Sequence, residues 1–315
     1  MSFKLKDIIS VNDFSQQDIN FVLSQAERML KLSRKEKALI LENQVVASLF
    51  FEPSTRTRLS FETAIQNLGG RIIGFNDPKI SSTVKGETLS DAIRMVEKYA
   101  DLIVLRHPLN GSARRAAEIS SVPVINAGDG SNQHPTQMLL DLFTIKKEFD
   151  RLEGLTIGLL GDLKFGRTVH SLLEAITKFP NNTVYCISPE ELKMPETIKN
   201  KVKGKLKLIE TTYLNECLPE LDVLYVTRVQ KERFPDLRDY ERVKNLYIID
   251  KRILIKAKES LKVMHPLPRV NEINPEVDST IHALYFQQAA NGVPVREALL
   301  ELMSKAVKKR GEKNE

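Results

Sequence analysis

The sequence predicts an α/β protein with two doubly wound parallel-sheet domains joined by helices, and an active site in the cleft between the domains. Short runs rich in β-branched residues alternate with longer segments whose apolar residues have helical spacing. They form two series, and a helical segment at 135–148 lies between the two. Strands that alternate with helices are typical of parallel sheets covered on both faces. The 315 residues suffice for two domains with a core in each.

The predicted elements follow one another in a regular order. A capping box at 15–18 opens a first helix that runs to residue 32. The first series then has strands at 45–51, 71–75, 102–106 and 123–127, with helices at 58–68, 88–99 and 112–119. The second series has strands at 156–160, 184–188, 206–210, 223–227 and 247–250, with helices at 166–179 and 251–257. Ligands of open parallel sheets bind at the carboxyl ends of strands, so polar residues at these ends are the candidates for function.

The composition favours a cytoplasmic protein that handles small anions. The formal net charge is +6, but lysines alternate with acidic residues and the chain has no tryptophan, which leaves nucleic-acid binding as a weak alternative. The apolar runs are too short to span a membrane, and the start of the chain lacks the apolar centre of a secretory signal. Two cysteines, Cys186 and Cys217, are too few for a disulfide scaffold and lack zinc-site spacing.

The turn at 54–58, with the sequence STRTR, follows the first strand and concentrates hydroxyl groups and positive charge. Backbone N–H groups and the positive end of the helix dipole favour an anion at a helix start. The hydroxyls add donors, and Arg56 adds a planar guanidinium suited to phosphate oxygens. A capping serine followed by a solvated basic turn is the structural alternative, but a cap needs one hydroxyl and no arginine. The stretch therefore predicts an oxyanion site.

Two other strand ends of the first series carry polar residues. Arg106 follows the apolar run at 102–105 and needs an anion, a carboxylate or solvent, so an internal ion pair stays open. His134 and Gln137 flank the start of a predicted helix, where they can donate to a carbonyl oxygen and accept from an NH2 group. A single histidine at a helix start is more often structural, which leaves this role open as well.

In the second series, Gly161, Gly166 and Arg167 form a turn between a strand and a helix, as in a nucleotide-binding P-loop. Arginine stands where that loop needs lysine, and the two residues are not interchangeable there. We interpret the turn as an anion site in which Arg167 binds a carboxylate. A P-loop-like nucleotide-binding protein is the distant alternative.

The remaining candidates lie on loops. Arg228 follows another strand, and Gln230 comes two positions later. The segment 265–269, HPLPR, has prolines without an N–H group, so its carbonyls can face a ligand, although taken alone the segment is better explained as a rigid structural turn. Ser81 and Lys85 lie in a glycine-hinged loop that is typical of a solvated loop or a mobile lid.

Taken together, these stretches resemble the transcarbamoylase family. The motifs occur in that family's order: PSTRTRLSFE, KGETL, RHP, NAGDGSNQHPTQ, GDLKFGRTVHSL, TRVQKER, HPLPRV and YFQQAANG. The resemblance covers nearly the whole chain and is weakest between 189 and 218. TRVQKER and HPLPR favour the aspartate-specific members, since ornithine enzymes typically have a cysteine in the latter loop.

The resemblance implies transfer of the carbamoyl group from carbamoyl phosphate to the amino group of L-aspartate, which yields N-carbamoyl-L-aspartate and phosphate in pyrimidine biosynthesis. Another amino acid such as ornithine is the alternative acceptor. The family needs neither a metal nor an organic cofactor. It also implies a carbamoyl-phosphate domain at 1–136 with 288–315, and an aspartate domain at 137–287.

The same resemblance assigns roles to individual residues. Catalysis would rest on Arg56, Thr57, Lys85, Arg106 and His134. Carbamoyl phosphate would be held by Ser54, Thr55, Arg56, Thr57, Ser81, Arg106, His134, Gln137, Pro266, Leu267 and Pro268. Aspartate would be held by Lys85, Arg167, Thr168, Arg228, Gln230 and Leu267, while Glu52 and Arg233 would hold the domains closed.

The implied assembly is a homotrimer with shared active sites, in which Ser81 and Lys85 reach the site of a neighbouring chain. Val84 stands where some relatives have a second lysine, which leaves Lys85 as the only cation of that loop. Nucleotide-binding regulatory chains are possible partners, and the loop at 107–115 is the expected contact. Neither nucleic acid nor a membrane is an expected partner.

Overall fold

The structure is a computed structural model that describes residues 3–77, 79, 82–231, 234 and 236–311. The chain divides into two compact units. The first unit comprises Met1–Phe143 with Asn291–Glu315, and the second comprises Thr144–Ala290. Each unit has its own parallel sheet with helices packed on it, which confirms the predicted fold class.

The first unit contains a four-stranded parallel sheet. Its strands are β1 (Val45–Phe50), β2 (Arg71–Phe75), β3 (Leu102–His107) and β4 (Val124–Asp129). The helices are α1 (Gln16–Lys31), α2 (Arg34–Ala38), α3 (Thr55–Asn67), α4 (Leu89–Val96), α5 (Ser112–Ile119), α6 (Pro135–Phe149, which runs on into the second unit) and α13 (Gly292–Gly311). The strand order is β2-β1-β3-β4.

This order places the polar strand ends of the first unit side by side. The chain passes from β1 to β2 on one side and then returns to β3 on the other, so β1 and β3 flank the point at which the strand order reverses. Phe50 at the end of β1 is in register with Arg106 of β3. Such switch points are where open parallel sheets bind ligands. The turn after β1 and the side chain of Arg106 therefore lie at the same edge.

The strands of the first unit are buried because their sequences are nearly continuous apolar runs. β1, β3 and β4 are buried along almost their whole length, as expected for strands covered on both faces. The edge strand β2 is mostly exposed. The predicted capping box at the start of α1 is confirmed: Ser15 Oγ accepts from the N–H of Asp18 at 3.1 Å, and the Asp18 carboxylate accepts from the N–H of Ser15 at 2.9 Å.

The second unit contains a five-stranded parallel sheet. Its strands are β5 (Thr156–Leu160), β6 (Thr183–Ile187), β7 (Lys207–Thr211), β8 (Val223–Val226) and β9 (Lys262–Met264). The helices are α7 (Arg167–Ile176), α8 (Glu196–Val202), α9 (Leu214–Cys217), α10 (Leu237–Val243), α11 (Lys251–Leu254) and α12 (Tyr285–Ala290). The order β7-β6-β5-β8-β9 puts the switch point between β5 and β8.

The predicted strand at 247–250 is wrong. Ile249 makes only an isolated bridge to Ile273, and the fifth strand of the sheet is β9. The reason is local: the carboxylate of Asp250 accepts from the N–H of Ile253 at 2.8 Å and caps α11, so the apolar run ends in a helix start. Helix α3 also begins earlier than predicted, at Thr55.

The described helices vary in length and polarity. α13 is the longest, with 20 residues, and it carries several charged side chains. Lys37 Nζ lies 2.6 Å from Glu297 Oε2, which ties α13 to the short helix α2 within the first unit. None of the helices in the described part of the chain combines the length and apolar character needed to cross a bilayer.

Candidate active site

The turn at residues 54–57, here called the anion turn, connects β1 to α3. Ser54 is the N-cap residue of α3, but the described structure shows no side-chain hydrogen bond that caps the helix. The first N–H groups of α3 are therefore not satisfied by the Ser54 hydroxyl. A serine that serves only as a cap would make that bond, so the geometry favours a start of α3 that can accept an external anion.

The charged and polar side chains of the anion turn differ in their surroundings. Thr57 is buried, with 9% of its surface exposed, whereas Thr55 and Arg56 are exposed. Although Arg56 is exposed overall, desolvation of the part of its side chain that packs against the protein lowers its pKa, and no carboxylate among the described residues forms an ion pair with it. Arg58 behaves as a structural residue: its Nη1 lies 3.8 Å from Glu62 Oε1, one helical turn further on. Arg58 therefore pairs with a protein carboxylate of its own helix.

Arg106 is buried at the end of β3, with 8% of its surface exposed. Its Nη1 donates to the carbonyl oxygen of Ala127 at 2.9 Å, and its Nε lies 2.5 Å from Glu52 Oε1. Gly128 has a φ of 118°, which residues with a side chain rarely adopt, and a Cβ atom there would overlap the guanidinium, so both favour glycine at this position. The internal ion pair that the sequence left open is therefore present, within the first unit and next to the anion turn.

His134 and Gln137 lie at the start of α6, as predicted, and both are buried. The carbonyl oxygen of His134 accepts from the N–H of Gln137 at 3.0 Å. The Gln137 amide nitrogen donates to Asp141 Oδ1 at 2.8 Å, and Asp141 has no exposed surface. Because the amide nitrogen is engaged, the amide oxygen of Gln137 is the atom that can accept from a ligand NH2 group.

The loop that precedes His134 is organised by Asp129, a residue that the sequence interpretation did not single out. Asp129 is 1% exposed, and its carboxylate accepts from the N–H groups of Gly111 at 2.9 Å and Gln133 at 3.1 Å. It also accepts from the amide nitrogens of Asn126 and Asn132, each at 3.0 Å. These bonds fix the path of the chain from β4 to α6 and so the position of His134.

Two predicted aspartate ligands of the second unit, Arg167 and Arg228, lie beside its switch point. Arg167 is the first residue of α7 and is half-buried, as is Thr168. Arg228 and Gln230 follow β8, which is the neighbour of β5 in the sheet. The topology thus brings both arginines to the carboxyl ends of adjacent strands.

Asp162 connects the two loops of this switch point and was also missed. It has no exposed surface; its carboxylate accepts from the N–H of Phe165 at 2.9 Å and lies 3.4 Å from the N–H of Gln230. Burial raises the pKa of Asp162, while the hydrogen bonds from Phe165 and Gln230 act in the opposite direction. An aspartate in a glycine-rich turn looks like an ordinary turn residue, so no sequence signal pointed to this role.

The segment 265–269, here called the proline loop, follows β9 in the second unit. The Leu267–Pro268 peptide bond is cis, and Leu267 has a positive φ of 56°. Pro266 and Leu267 are partly exposed, and Pro268 is exposed. Lys85 is exposed at the end of a short 3-10 turn in the first unit, Ser82–Lys85. Ser81 and Arg233 lie outside the described residues.

The fold and these groups define a class of protein: a two-domain α/β protein in which each sheet presents arginines and hydroxyl or amide donors at its switch point. Matches to family models are more specific. Residues 6–147 match the aspartate/ornithine carbamoyltransferase carbamoyl-phosphate-binding domain, and residues 153–303 match the aspartate/ornithine-binding domain of that family. The chain belongs to the aspartate/ornithine carbamoyltransferase family.

Individual relatives agree with this assignment. The chain is 58% identical over 304 residues to the aspartate carbamoyltransferase catalytic subunit of Thermococcus kodakarensis, covering 96% of this chain and 98% of that one. The catalytic subunit of M. jannaschii aspartate transcarbamoylase superposes with a TM-score of 0.88 at 50% identity, over 94% of this chain and 97% of that chain. Aspartate transcarbamoylase from Trypanosoma cruzi in complex with carbamoyl phosphate and aspartate superposes with a TM-score of 0.87 at 37% identity, over 94% of each chain. These relatives give no support to the nucleotide-binding alternative.

Proposed function

We infer that the protein transfers the carbamoyl group of carbamoyl phosphate to the amino group of L-aspartate, with N-carbamoyl-L-aspartate and phosphate as products. The observation that carries this inference is the uncapped anion turn beside Arg106 in a chain of this family. The relatives named above are aspartate enzymes, and one of their structures holds carbamoyl phosphate together with aspartate. Together these findings favour aspartate over ornithine.

In this proposal the first unit binds the phosphate group. Ser54, Thr55 and Thr57 donate from their hydroxyls or backbone N–H groups, and Arg56 contributes a bidentate cation. Arg106 adds a second cation, which pairs with Glu52 at 2.5 Å in this structure. Substrate phosphate would then compete with Glu52 for the same guanidinium.

The carbonyl oxygen of the carbamoyl group would be surrounded by Thr57, Arg106 and His134. When the amine attacks the carbonyl carbon, negative charge grows on this oxygen, and fixed donors stabilise it. The carbamoyl NH2 group would donate to the amide oxygen of Gln137 and to backbone carbonyls of the proline loop. The engagement of the Gln137 amide nitrogen by Asp141 supports this orientation.

The acceptor amino acid would be held by the second unit. Arg167 and Arg228 offer two guanidinium groups for two carboxylates, which fits a dicarboxylic amino acid, and Thr168, Gln230 and Leu267 would complete its contacts. The amine must be neutral to attack the carbonyl carbon. One C–N bond then forms, the C–O bond to phosphate breaks, and the departing phosphate takes the amine proton. Holding both substrates in place supplies the entropic advantage of proximity.

We further propose a homotrimer in which Ser81 and Lys85 of one chain complete the site of the next, and in which Glu52 and Arg233 help to hold the liganded state. Lys85 is exposed at the end of its turn, which is consistent with contact to another chain. The name catalytic subunit, carried by the relatives, supports additional partner chains, for which the loop at 107–115 is our proposed contact. The product would enter pyrimidine biosynthesis.

The assay that tests the proposal compares acceptors directly. Purified protein is given carbamoyl phosphate with either L-aspartate or L-ornithine, and both phosphate and the carbamoylated amino acid are measured. We expect rapid formation of N-carbamoyl-L-aspartate and only background product with ornithine. Product with ornithine alone, or phosphate release without any carbamoylated amino acid, would overturn the assignment.

A further inference from the structure

A buried histidine–glutamate pair fixes the proline loop of the second unit. His265 is 1% exposed and Glu272 is 5% exposed. His265 Nε2 lies 2.7 Å from Glu272 Oε1, while His265 Nδ1 accepts from the backbone N–H of Leu267 at 2.8 Å. The backbone N–H of His265 donates to Gln288 Oε1, also at 2.8 Å. Both ring nitrogens and the amide of His265 are thus engaged.

These contacts determine where the proton of the imidazole lies. Because Nδ1 accepts the Leu267 N–H, it carries no proton, and the proton of the neutral ring is on Nε2, directed at Glu272. The Glu272 carboxylate also accepts from the N–H groups of Val270 and Asn271, each at 3.1 Å. The carboxylate therefore closes the turn that follows the proline loop and orients the ring that holds the loop itself.

The residue held by His265 has an unusual backbone. Leu267 has a φ of 56°, in the left-handed region that side chains other than glycine, asparagine and aspartate rarely adopt. A residue stays in such a conformation only where its surroundings fix it. The hydrogen bond from Leu267 N–H to His265 is such a restraint, and it acts on the residue whose backbone the proposed function assigns to substrate contact.

We propose that His265, oriented by Glu272, is a positioning residue for carbamoyl transfer: it fixes the backbone of Leu267 so that the carbonyls of the proline loop are placed for the carbamoyl and amino acid substrates. The inference rests on the proposed function. His265 acts through the loop and not on substrate, because it is buried with both ring nitrogens occupied. Its two ring contacts have different roles, since Nδ1 holds the loop and Nε2 orients the ring.

Two substitutions separate these contacts. In H265N the side-chain oxygen takes the place of Nδ1, so it can still accept from Leu267 N–H but does not reach Glu272. In H265Q the longer amide can donate to Glu272 but leaves Leu267 N–H without its acceptor. We expect kcat to fall by about 10²-fold in H265Q, since a small misplacement of a reacting group has an effect of this size, and by less than about 10-fold in H265N.

The control measurements locate the defect. Binding of inorganic phosphate, measured by calorimetry, is expected to stay within about 3-fold in both variants, because the anion turn belongs to the first unit. H282N is the matched control, since His282 Nδ1 also contacts a backbone oxygen, Leu261 O at 2.8 Å, and no hydrogen bond of the described residues joins His282 to a residue of the proposed site. Its kcat should stay within about 2-fold of that of the unsubstituted protein.

Equal kcat values in H265N and H265Q, whether low or unchanged, would overturn the proposal. Neutron diffraction from crystals of the perdeuterated, unsubstituted protein gives a test that does not depend on how the variants fold. Deuterium on Nε2 alone is expected, and deuterium on Nδ1 would contradict the proposed geometry. A protein that forms no N-carbamoyl-L-aspartate before substitution would refute the proposed function instead, and the two failures are thereby distinguished.

Discussion

The carboxylate of Asp141 accepts a hydrogen bond from the side-chain amide of Gln137 at 2.8 Å, one turn apart on α6. Asp141 has no exposed surface, and Arg296 of α13, 3% exposed, lies close enough for the two charges to interact. The pair leaves the amide oxygen of Gln137 as a fixed acceptor. A glutamine that is free to rotate would present either its oxygen or its nitrogen to the substrate.

Substitution of Asp141 should therefore reduce turnover without removing phosphate binding. D141N keeps an oxygen that can accept from Gln137, whereas D141A removes the acceptor and leaves Arg296 with less compensation. We expect kcat for carbamoyl-aspartate formation to fall by about 10- to 100-fold in D141A, the range for a lost hydrogen bond to a charged group, and less in D141N. Steady-state kinetics and phosphate calorimetry check this. A D141A enzyme with a normal kcat would show that the pair is not needed for the reaction.

Arg56 should be the most sensitive position of the anion turn. R56A removes a cation that has no carboxylate partner among the described residues, so its loss should act on substrate and not on the fold. We expect kcat to fall by about 10²–10³-fold, with the thermal midpoint of unfolding nearly unchanged. R56K should recover only part of the activity, because lysine lacks the planar fork.

Arg58 supplies the control for that experiment, since it stands two positions away and pairs with Glu62 at 3.8 Å. R58A removes the same positive charge from the same helix turn, and a partly exposed pair with this long N–O separation contributes little to stability. Its kcat should therefore stay within about 3-fold of that of the unsubstituted protein. Similar losses in R56A and R58A would indicate a general effect of charge and not a phosphate ligand.

Shared active sites predict complementation between inactive chains. If Lys85 of one chain completes the site that contains Arg56 of the next, each trimer mixed from K85A and R56A chains regains one intact site. The mixed trimers, separated by differently sized tags, should have about one third of the activity of the unsubstituted trimer. Mixing two differently tagged R56A chains is the control and should restore nothing. Mixed trimers confirmed by mass that stay inactive would argue against sharing.

The ion pair between Glu52 and Arg106 predicts opposite effects on binding and turnover. E52Q removes the carboxylate that lies 2.5 Å from Arg106 Nε, so inorganic phosphate should bind the unliganded protein more tightly, by about 3- to 10-fold. Turnover should fall, because Glu52 is also proposed to hold the liganded state. E62Q, which changes the carboxylate beside Arg58, should alter neither quantity. Weaker phosphate binding in E52Q would contradict the competition between Glu52 and substrate.

Both sheets could be predicted from the sequence. Parallel strands covered on both faces are short continuous apolar runs, which differ visibly from segments whose apolar residues have helical spacing. The prediction failed at 247–250, where the apolar run leads to Asp250, whose carboxylate caps a helix. The site was predicted where a residue type is chemically distinctive, as with the arginines. Asp129, Asp162 and Glu272 were missed because a contact that gives each its role is made only by the fold: Asp129 with Gly111, Asp162 with Gln230, and Glu272 with His265. Asp141 stands one helical turn after Gln137, so helical spacing alone could have indicated that pair.

Protonation of the Glu272 carboxylate in acid should measurably lower the free energy of unfolding of the protein. Burial raises the pKa of this carboxyl, but the hydrogen bonds from His265 and from backbone N–H groups outweigh burial, and the pKa in the folded protein lies below its usual value. The ionised group therefore stabilises the fold fully above the pKa of the unfolded chain, and this contribution is lost as the pH falls through the lower folded pKa. In E272Q the contribution is absent at every pH. The difference in the free energy of unfolding between the two proteins, measured with denaturant, should be constant from pH 6 to 8 and shrink below about pH 4. A difference that stays constant down to pH 3 would show that folding does not lower the pKa of the Glu272 carboxyl.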